Sequence, residues 1–312
     1  MRARTISLQS IVLGLAAVLC SIPASAQTAA DGPYVAVDGL KKISAHVQVI
    51  PDDSRPLVPN VGFIVGEKGI LIVDTGLGAQ NGRAIAAVAQ RLGAGLQQYL
   101  VTTHVHPEHD LGAGGFSTAT KMIRSNDQRK AIAESGLQLA EAFRKMSPVN
   151  AKLLEGAAFR NADITFEQSY DLDLGGLTVR LVNMGPNHTL GDTVIWVAPD
   201  EVLFAGDLAM QRGPNFDAKY GKVSHWLATL DKLDAFAPKI VVPSHGPIGD
   251  IGLIAGYHRL MIDVRDRAVA EKRAGHSLDQ ATANLSPAIV AKYPNAGRGL
   301  PSIVRAAYAE AP

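Results

Sequence analysis

The segment THVHPEHDLGAGGF, residues 103–116, contains three histidines and two acidic residues within seven consecutive positions. Side chains alternate between the two faces of an extended chain, so His104 and His106 project to the same side and both imidazoles can reach one ion. The proline that follows ends the extended run. A turn into a helix at Glu108 and His109 then presents a second pair of donor groups at a neighbouring position. One short segment therefore offers ligands for two metal ions.

Four further segments each place a histidine or an aspartate directly after an apolar run, beside glycine or proline. They are LIVDTG with Asp74, NHTLGD with His188, AGD with Asp207, and SHGP with His245. Loops at the ends of strands can converge without disturbing a core, so these side chains are candidates for one site. Taken singly, each histidine is more often an ordinary loop residue, and Asp207 is a possible turn residue or helix cap. Their shared placement favours the ligand interpretation.

The first 26 residues have the features of an export signal. These are a basic start at Arg2 and Arg4, an apolar run over residues 11–19 that is too short to span a bilayer, and the small residues Ala24, Ser25 and Ala26. We expect cleavage after Ala26 and a periplasmic or secreted location. An uncleaved N-terminal anchor and a lipoprotein modified at Cys20 are the alternatives.

The expected mature chain excludes several kinds of chemistry. Cys20 is the only cysteine in the sequence, so no thiolate ligand or disulfide remains, and a metal must be held by His, Asp, Glu or water. Without Arg2 and Arg4, 28 basic residues face 29 acidic ones, a net charge of −1 with His neutral. A charge so close to zero gives no electrostatic case for a nucleic-acid partner. We also expect no membrane contact after signal cleavage.

Apolar periodicity predicts an α/β fold. Strands are predicted at residues 46–50, 61–66, 69–74, 99–103, 121–124, 177–182, 193–198, 202–205 and 240–243. Helices are predicted at residues 82–92, 127–146, 223–236, 256–274, 278–284 and 302–310. Strand meanders interrupted by helices indicate a sandwich with helices on its outer faces. We expect one domain over residues 27–250, with residues 251–312 as its helical extension.

The order of these motifs resembles the metallo-β-lactamase superfamily of dinuclear zinc hydrolases. The motifs are VDTG, then HVHPEH, a lone His188, the pair Gly206-Asp207, and SHG. The resemblance covers residues 47–247. It implies a four-layer αβ/βα sandwich with a metal site along one edge of the two sheets.

The resemblance also implies a set of seven metal ligands. Carried over to this sequence, they are His104, His106 and His188 for one zinc ion, Glu108, His109 and His245 for the other, and Asp207 as a bridge. Asp74 would accept a hydrogen bond that orients a ligand or its loop. The implied cofactor is two Zn²⁺ per chain, with Fe or Mn as alternatives. A hydroxide held between the ions would be the nucleophile, which gives Glu108 and Asp207 catalytic roles.

Glu108 departs from the family pattern, which usually has Asp at this position. The carboxylate of Glu reaches about one methylene further along the side chain. Glu108 is therefore a ligand, a base, or the reason for a weakly bound second ion. Asp110 substitutes for it only if the helical turn is distorted.

Three functions are compatible with this pattern, all with a small molecule as the partner. The first is an exported hydrolase of an ester, thioester or lactone-like bond, similar to exported zinc hydrolases found beside quinoprotein and sulfur-oxidation systems. The alternative is a metallo-β-lactamase that opens the β-lactam ring. The second alternative is a non-catalytic metal-binding accessory protein. Fold alone does not choose between them, and the oligomeric state stays open.

The other histidines and the aromatic residues are given simpler roles. His46, His225, His258 and His276 lie outside the motifs and are predicted not to be ligands. Trp196, Phe204 and Trp226 are predicted core residues. Phe216 and Tyr220 follow Asp207 closely and are candidates for substrate contact.

Overall fold

Two β-sheets lie face to face in the computed structural model, which describes residues 32–211, 213, 215–216, 219–297 and 299–312. The predicted export signal, its cleavage site and Cys20 lie outside the described residues. In the first sheet the spatial order follows the chain order. Its strands are β1 (Lys41–Lys42), β2 (Val47–Ile50), β3 (Val61–Val65), β4 (Gly69–Val73), β5 (Gln97–Val101), β6 (Lys121–Ser125) and β7 (Ile164–Phe166). Neighbours from β1 to β4 are antiparallel, and those from β4 to β7 are parallel.

The second sheet contains the remaining strands. They are β8 (Ser169–Asp173), β9 (Thr178–Gly185), β10 (Asp192–Val197), β11 (Val202–Gly206) and β12 (Ile240–Pro243). Their spatial order is β12-β11-β10-β9-β8. Only β11 and β12 pair in parallel; the other pairs are antiparallel.

The helices lie between strands of each sheet and in a run after the last strand. They are α1 (Gly78–Leu92), α2 (Pro107–Asp110), α3 (Asn126–Lys145), α4 (Pro148–Leu153), α5 (Val223–Asp234), α6 (Gly252–Arg273), α7 (Leu278–Lys292) and α8 (Leu300–Glu310). Two 3₁₀ turns, Leu111–Gly115 after α2 and Pro294–Ala296 after α7, border the regions discussed below. Among the described residues, no helix combines the length and the apolar character needed to cross a membrane.

Alternation along the strands creates the layers. In β4, Ile70 and Ile72 pack in a cluster that includes Ile85 of α1, whereas Leu71 and Val73 pack between the two sheets. In β11, Val202 and Phe204 face the same inter-sheet core. The alternate residues Leu203 and Ala205 pack in a cluster with residues of α5, α6 and α8. The result is the predicted four-layer αβ/βα sandwich, and that prediction is confirmed.

Candidate metal centre

The candidate ligands follow the carboxyl ends of strands from both sheets. His104 follows β5, and His106 and His109 come next along the chain. In the second sheet, Asp207 follows β11 directly and His245 follows β12 by two residues. The strand ends meet at one edge of the sandwich, which brings together side chains that lie up to 141 positions apart, as the contact of Thr103 with Ser244 shows.

The structure brings all seven candidate ligands into three overlapping groups. Within each group the possible ligand atoms lie within 4.8 Å of one another, and the groups are His104, His106 and His188; His104, His109 and Asp207; and Glu108, His109 and His245. Two of the groups match the two ligand sets that the family resemblance implies. The third joins them through Asp207.

The first group has the spacing of ligands on a single ion. Nδ1 of His106 lies 3.2 Å from Nε2 of His104 and 3.1 Å from Nε2 of His188. Two nitrogens bound at 2.0–2.1 Å to a tetrahedral Zn²⁺ are about 3.3 Å apart. The three imidazoles therefore fit one tetrahedral cation.

The second group shows the same spacing and contains an unsatisfied oxygen. Nε2 of His109 lies 3.2 Å from Nε2 of His245, and Oε1 of Glu108 lies 3.9 Å from His109 Nε2. Oε2 of Glu108 is buried and has no hydrogen-bond partner among the described residues. A buried carboxylate without a donor is costly, and a bound cation would remove that cost. Glu108 thus fits the place of the usual aspartate despite its longer side chain.

Asp207 lies between the two groups. Its Oδ2 is 3.2 Å from Nε2 of His188, a member of the first group. A carboxylate oxygen of Asp207 also lies within 4.8 Å of a ring nitrogen of His109, a member of the second group. This is the position that a bridging carboxylate requires.

Protein acceptors hold the far side of three of the imidazole rings. In each ring Nδ1 is the donor. His109 donates to Asp74 Oδ2 at 2.8 Å, His245 donates to Val58 O at 2.8 Å, and His188 donates to Asn215 O at 2.6 Å. A carbonyl or carboxylate oxygen can only accept, so the proton sits on Nδ1 and the Nε2 lone pair faces the cluster. The rings are therefore fixed in the tautomer that binds a metal.

Asp74 links the end of β4 to the histidine segment. Besides His109, its carboxylate accepts hydrogen bonds from the backbone N of Thr103 at 2.7 Å and from Thr103 Oγ1 at 3.0 Å. Asp74 has a positive φ of 66°, a conformation that Asp tolerates better than most residues. This backbone conformation turns the side chain back under the loop, where it orients both a ligand and the segment that carries it.

Burial changes the pKa values of three histidines and of the glutamate in the cluster. Burial, together with the charge of neighbouring histidines, holds the pKa of His104 and His106 well below the usual value, which favours the neutral, metal-binding imidazole. Burial lowers the pKa of His109 as well, but Asp74 outweighs it by charge and hydrogen bonding and raises that pKa to about 9. Burial raises the pKa of Glu108. A metal ion at neutral pH would therefore have to displace a proton from Nε2 of His109.

Asp110 is not part of the cluster. It is buried and accepts a hydrogen bond from Arg124 Nη2 at 2.8 Å, another from Arg124 Nη1, and one from Thr102 Oγ1 at 3.1 Å. The alternative in which Asp110 replaces Glu108 as a ligand is therefore wrong. Asp110 instead fixes the end of α2 to the first sheet.

Sequence reasoning missed the loop before β3. Asn60 Nδ2 donates to Pro243 O at 2.8 Å and to Gly246 O at 2.9 Å, and Asp52 Oδ2 accepts from Gly246 N at 2.8 Å. These contacts hold the backbone on both sides of His245. No local motif around Asn60 points to partners more than 180 positions away.

Asp192 holds the backbone around His188, and the sequence shows a signal for this role. Its carboxylate accepts from the backbone N of His188 at 2.8 Å, of Thr189 at 3.0 Å and of Asn187 at 3.2 Å. An aspartate placed a few residues after the histidine in NHTLGD is typical of a side chain that caps a loop through its N–H groups.

The aromatic residues divide between core and surface. Trp226 and Phe204 are buried, which confirms their prediction as core residues. Trp196 is only partly buried and packs with Phe236 against the apolar cluster of the second sheet, so it lies at the margin of the core. Phe216 is also buried and its ring lies 4.6 Å from that of Trp226, so its prediction as a substrate contact is wrong. Tyr220 is partly exposed and its hydroxyl donates to Glu134 Oε2 at 2.8 Å.

The four remaining histidines form separate contacts. The pairs are His46 with Asp200, His225 with Asn187, His258 with Asp231, and His276 with Glu271. None of the four belongs to a candidate metal group among the described residues.

Residues 54–245 match the sequence model of the metallo-beta-lactamase superfamily, and the chain belongs to this family. The predicted resemblance is thereby confirmed. The chain is 25% identical over 220 residues to the linear primary-alkylsulfatase of Pseudomonas sp. (strain ATCC 19151), a match that covers 59% of this chain and 40% of the relative.

Solved structures show the same fold. The stereoselective inverting sec-alkylsulfatase Pisa1 from Pseudomonas sp. superimposes with a TM-score of 0.70 and 17% identity, over 86% of this chain and 49% of its own. The metallo-beta-lactamase from Pontibacter korlensis gives a TM-score of 0.57 with 19% identity, over 70% of this chain and 96% of its own. The chain thus spans about half the length, or less, of the two alkylsulfatases.

Proposed function

We propose that this protein is a metal-dependent hydrolase that binds two divalent cations, Zn²⁺ foremost, and cleaves a small sulfate ester. The observation that carries the proposal is the pair of ligand groups joined by Asp207. The sequence favours an ester, thioester or lactone-like bond. Similarity to a linear primary-alkylsulfatase narrows this choice to sulfate esters.

The donor set fits the cofactor. Five imidazoles and two carboxylates are nitrogen and oxygen donors that suit Zn²⁺, with Fe or Mn as alternatives. Bound cations would lower the pKa of a water molecule and polarise the oxygen of the ester. The chain's own part is to hold the rings in one tautomer through Asp74, Val58 and Asn215.

The cleft beside the centre supports an anionic substrate. A cavity of about 460 Å³ opens next to His245, and Arg55 lines it. The Arg55 guanidinium is exposed and donates a hydrogen bond to Tyr34 O at 3.3 Å. Arginine offers several donors in a plane and matches the oxygens of a sulfate group. We therefore assign Arg55 to binding the sulfate end of the substrate.

Substrate class is tested on metal-loaded protein. Octyl sulfate, a carboxylic ester, a thioester, a lactone and a chromogenic cephalosporin are compared at equal concentration. We expect the highest kcat/KM for the sulfate ester, its loss on chelation, and its return on adding Zn²⁺, Mn²⁺ or Fe²⁺. Faster turnover of the cephalosporin would favour the β-lactamase alternative instead.

A pair of histidine variants separates an enzyme from a binding protein. His106→Ala removes one member of the first ligand group, whereas His276→Ala removes a histidine that binds Glu271 elsewhere. We expect the first variant to lose turnover and the second to keep it. Full activity in His106→Ala would refute the mechanism. Absence of turnover in every metal-loaded sample would favour the non-catalytic accessory protein.

We also propose that the protein is exported and acts in the periplasm or outside the cell. The basic start, the short apolar run and the small residues before position 27 support this. N-terminal sequencing of protein purified from the periplasmic fraction should begin at Gln27. A chain that starts at Met1 and stays in the cytoplasm would refute the proposal.

A further inference from the structure

Two cavities near the metal centre have wall residues in common. The cavity next to His245 includes Gln211 and Asn295 in its wall. A second cavity, of about 530 Å³, shares these two residues and continues along α6 to Arg259. We name this second cavity, bounded by α6 and the turn Pro294–Ala296, the tail pocket. We propose that it binds the part of the substrate remote from the cleaved bond, an apolar chain that ends in an anionic group; this rests on the proposed function.

A helical glycine keeps the tail pocket open. Gly256 lies inside α6 and lines the pocket. A Cβ placed on it would meet only the end of the Arg259 side chain, at 3.9 Å. Glycine in a helix interior costs about 1 kcal/mol relative to alanine. No backbone packs closely enough to require glycine here, so the effect of Gly256 is to leave space for a ligand.

The wall of the tail pocket fits an extended apolar chain. Leu253, Tyr257 and Leu260 of α6 line one side, and Met210 and Ala296 add further apolar surface to the wall. From Gly252 to Arg259 the helix rises by roughly 10 Å at 1.5 Å per residue. An extended chain covers about 1.2 Å per bond, so about eight bonds fit along this wall.

The far end of the tail pocket carries an available positive charge. Arg259 is exposed and makes no hydrogen bond or ion pair with any other residue that the structure describes. The other cation in the wall, Lys292, donates to Asp263 at 2.7 Å. The wall's carboxylate, Asp250, lies before the first turn of α6 and accepts from Gly252 N at 2.8 Å. An anionic end group of the substrate therefore fits beside Arg259.

A pair of substrates with the same chain length and different terminal charge tests this assignment. Octyl sulfate and its ω-carboxylated analogue differ only at the end that would reach Arg259. Arg259→Met should lower kcat/KM for the carboxylated substrate about three- to fivefold, the size expected of an exposed ion pair, and leave octyl sulfate unchanged. Arg273→Met, which removes an exposed arginine at the end of the same helix, should change neither. An equal loss on both substrates would overturn the anion assignment.

A steric variant tests the apolar part, and a binding measurement separates the two proposals. Gly256→Leu should raise KM for octyl sulfate at least tenfold and leave ethyl sulfate unchanged; no change with octyl sulfate would overturn the tail pocket.

Calorimetry with ω-hydroxyoctanoate needs no turnover. If no sulfate ester is hydrolysed but wild-type protein binds ω-hydroxyoctanoate more tightly than Arg259→Met does, the proposed function fails while the tail pocket stands. Equal affinity in both proteins would overturn the pocket's anion site.

Discussion

Glu108 is the residue at which the centre departs from the usual family pattern. Its Oε2 is buried without a hydrogen-bond partner among the described residues, and Oε1 lies beside His109. Glu108→Gln would keep the size of the side chain but remove its charge. We expect fully loaded wild-type protein to contain close to two metal ions per chain and the variant close to one, measured by plasma mass spectrometry.

The control is Glu155→Gln, which changes an exposed glutamate far along the sequence. It should bind as much metal as the wild type. A wild-type content near one ion would move Glu108 out of direct contact with metal.

Asp74 provides a test that removes no ligand. Its carboxylate fixes His109 and, through Thr103, the segment that carries His104. Asp74→Asn keeps the shape but replaces one acceptor oxygen with a donor, so the imidazole loses its partner or adopts the wrong tautomer. We expect metal affinity to fall by 10- to 100-fold, about the effect of losing a group that orients a ligand. Competition with a fluorescent chelator measures this, and unchanged affinity would show that the contact has no orienting role.

The pair of Asp110 and Arg124 gives a stability prediction. Both side chains are almost completely inaccessible to solvent, with exposures of 0% and 1%. Breaking a buried pair leaves one charge without compensation, which destabilises a protein by about 3–5 kcal/mol. We expect Arg124→Met to lower the free energy of unfolding in urea by this amount. Arg180→Met breaks the exposed pair with Asp171 and should have little effect, so equal losses would contradict the argument.

At the scale of elements, close backbone packing positions the ligand segment. A Cβ on Gly82 of α1 would lie 1.8 Å from Gly112 O in the 3₁₀ turn that follows α2. Because the glycine has no side chain, α1 packs directly on this turn. Gly82→Ala should lower unfolding stability by about 1–3 kcal/mol through overpacking, although alanine favours helices.

Gly256→Ala is the matched control, because its Cβ has open space. It should raise stability by up to about 1 kcal/mol. Thermal and urea unfolding of both variants would show opposite signs. A stabilising Gly82→Ala would refute the packing argument.

Most elements could be predicted from apolar periodicity, and the exceptions have physical reasons. β12 and the hairpin from β3 to β4 lie where the pattern places them. β8 was not predicted because its alternation rests on two residues, Tyr170 and Leu172, of which only Leu172 is buried, and so short a pattern is a weak signal. α7 extends to Lys292, whereas the prediction ends at position 284, because Pro287 is a signal of helix termination that packing of Ile289 overrides.

The ligand set could be predicted for a different reason. Metal chemistry restricts donors to a few residue types, so His104, His188 and His245 stand out even in separate segments. Contacts through backbone atoms have no such restriction. Val58 O, which holds His245, could belong to any residue type, and only the folded chain identifies it.

At the scale of the whole molecule, the candidate centre joins the two sheets. His104, His106 and His109 follow a strand of the first sheet, whereas His188 and His245 follow strands of the second. Each ligand group contains residues from both sheets. A cation bound there would connect two layers that also meet through apolar packing and through hydrogen bonds such as that of Thr103 with Ser244, and its binding free energy would add to folding stability.

This arrangement predicts a strong dependence of stability on metal. A ligand that binds only the folded state stabilises it by about 2.7 kcal/mol at a free concentration 100 times its dissociation constant. We expect chelation to lower the Tm and the urea midpoint, and added Zn²⁺ to restore both. His106→Ala and His245→Ala, which remove one ligand from each sheet, should each shift the Tm of the metal-loaded protein towards that of the metal-free form. If the Tm were the same with and without bound metal, the centre would contribute nothing to holding the sheets together, and the bridging geometry would be refuted.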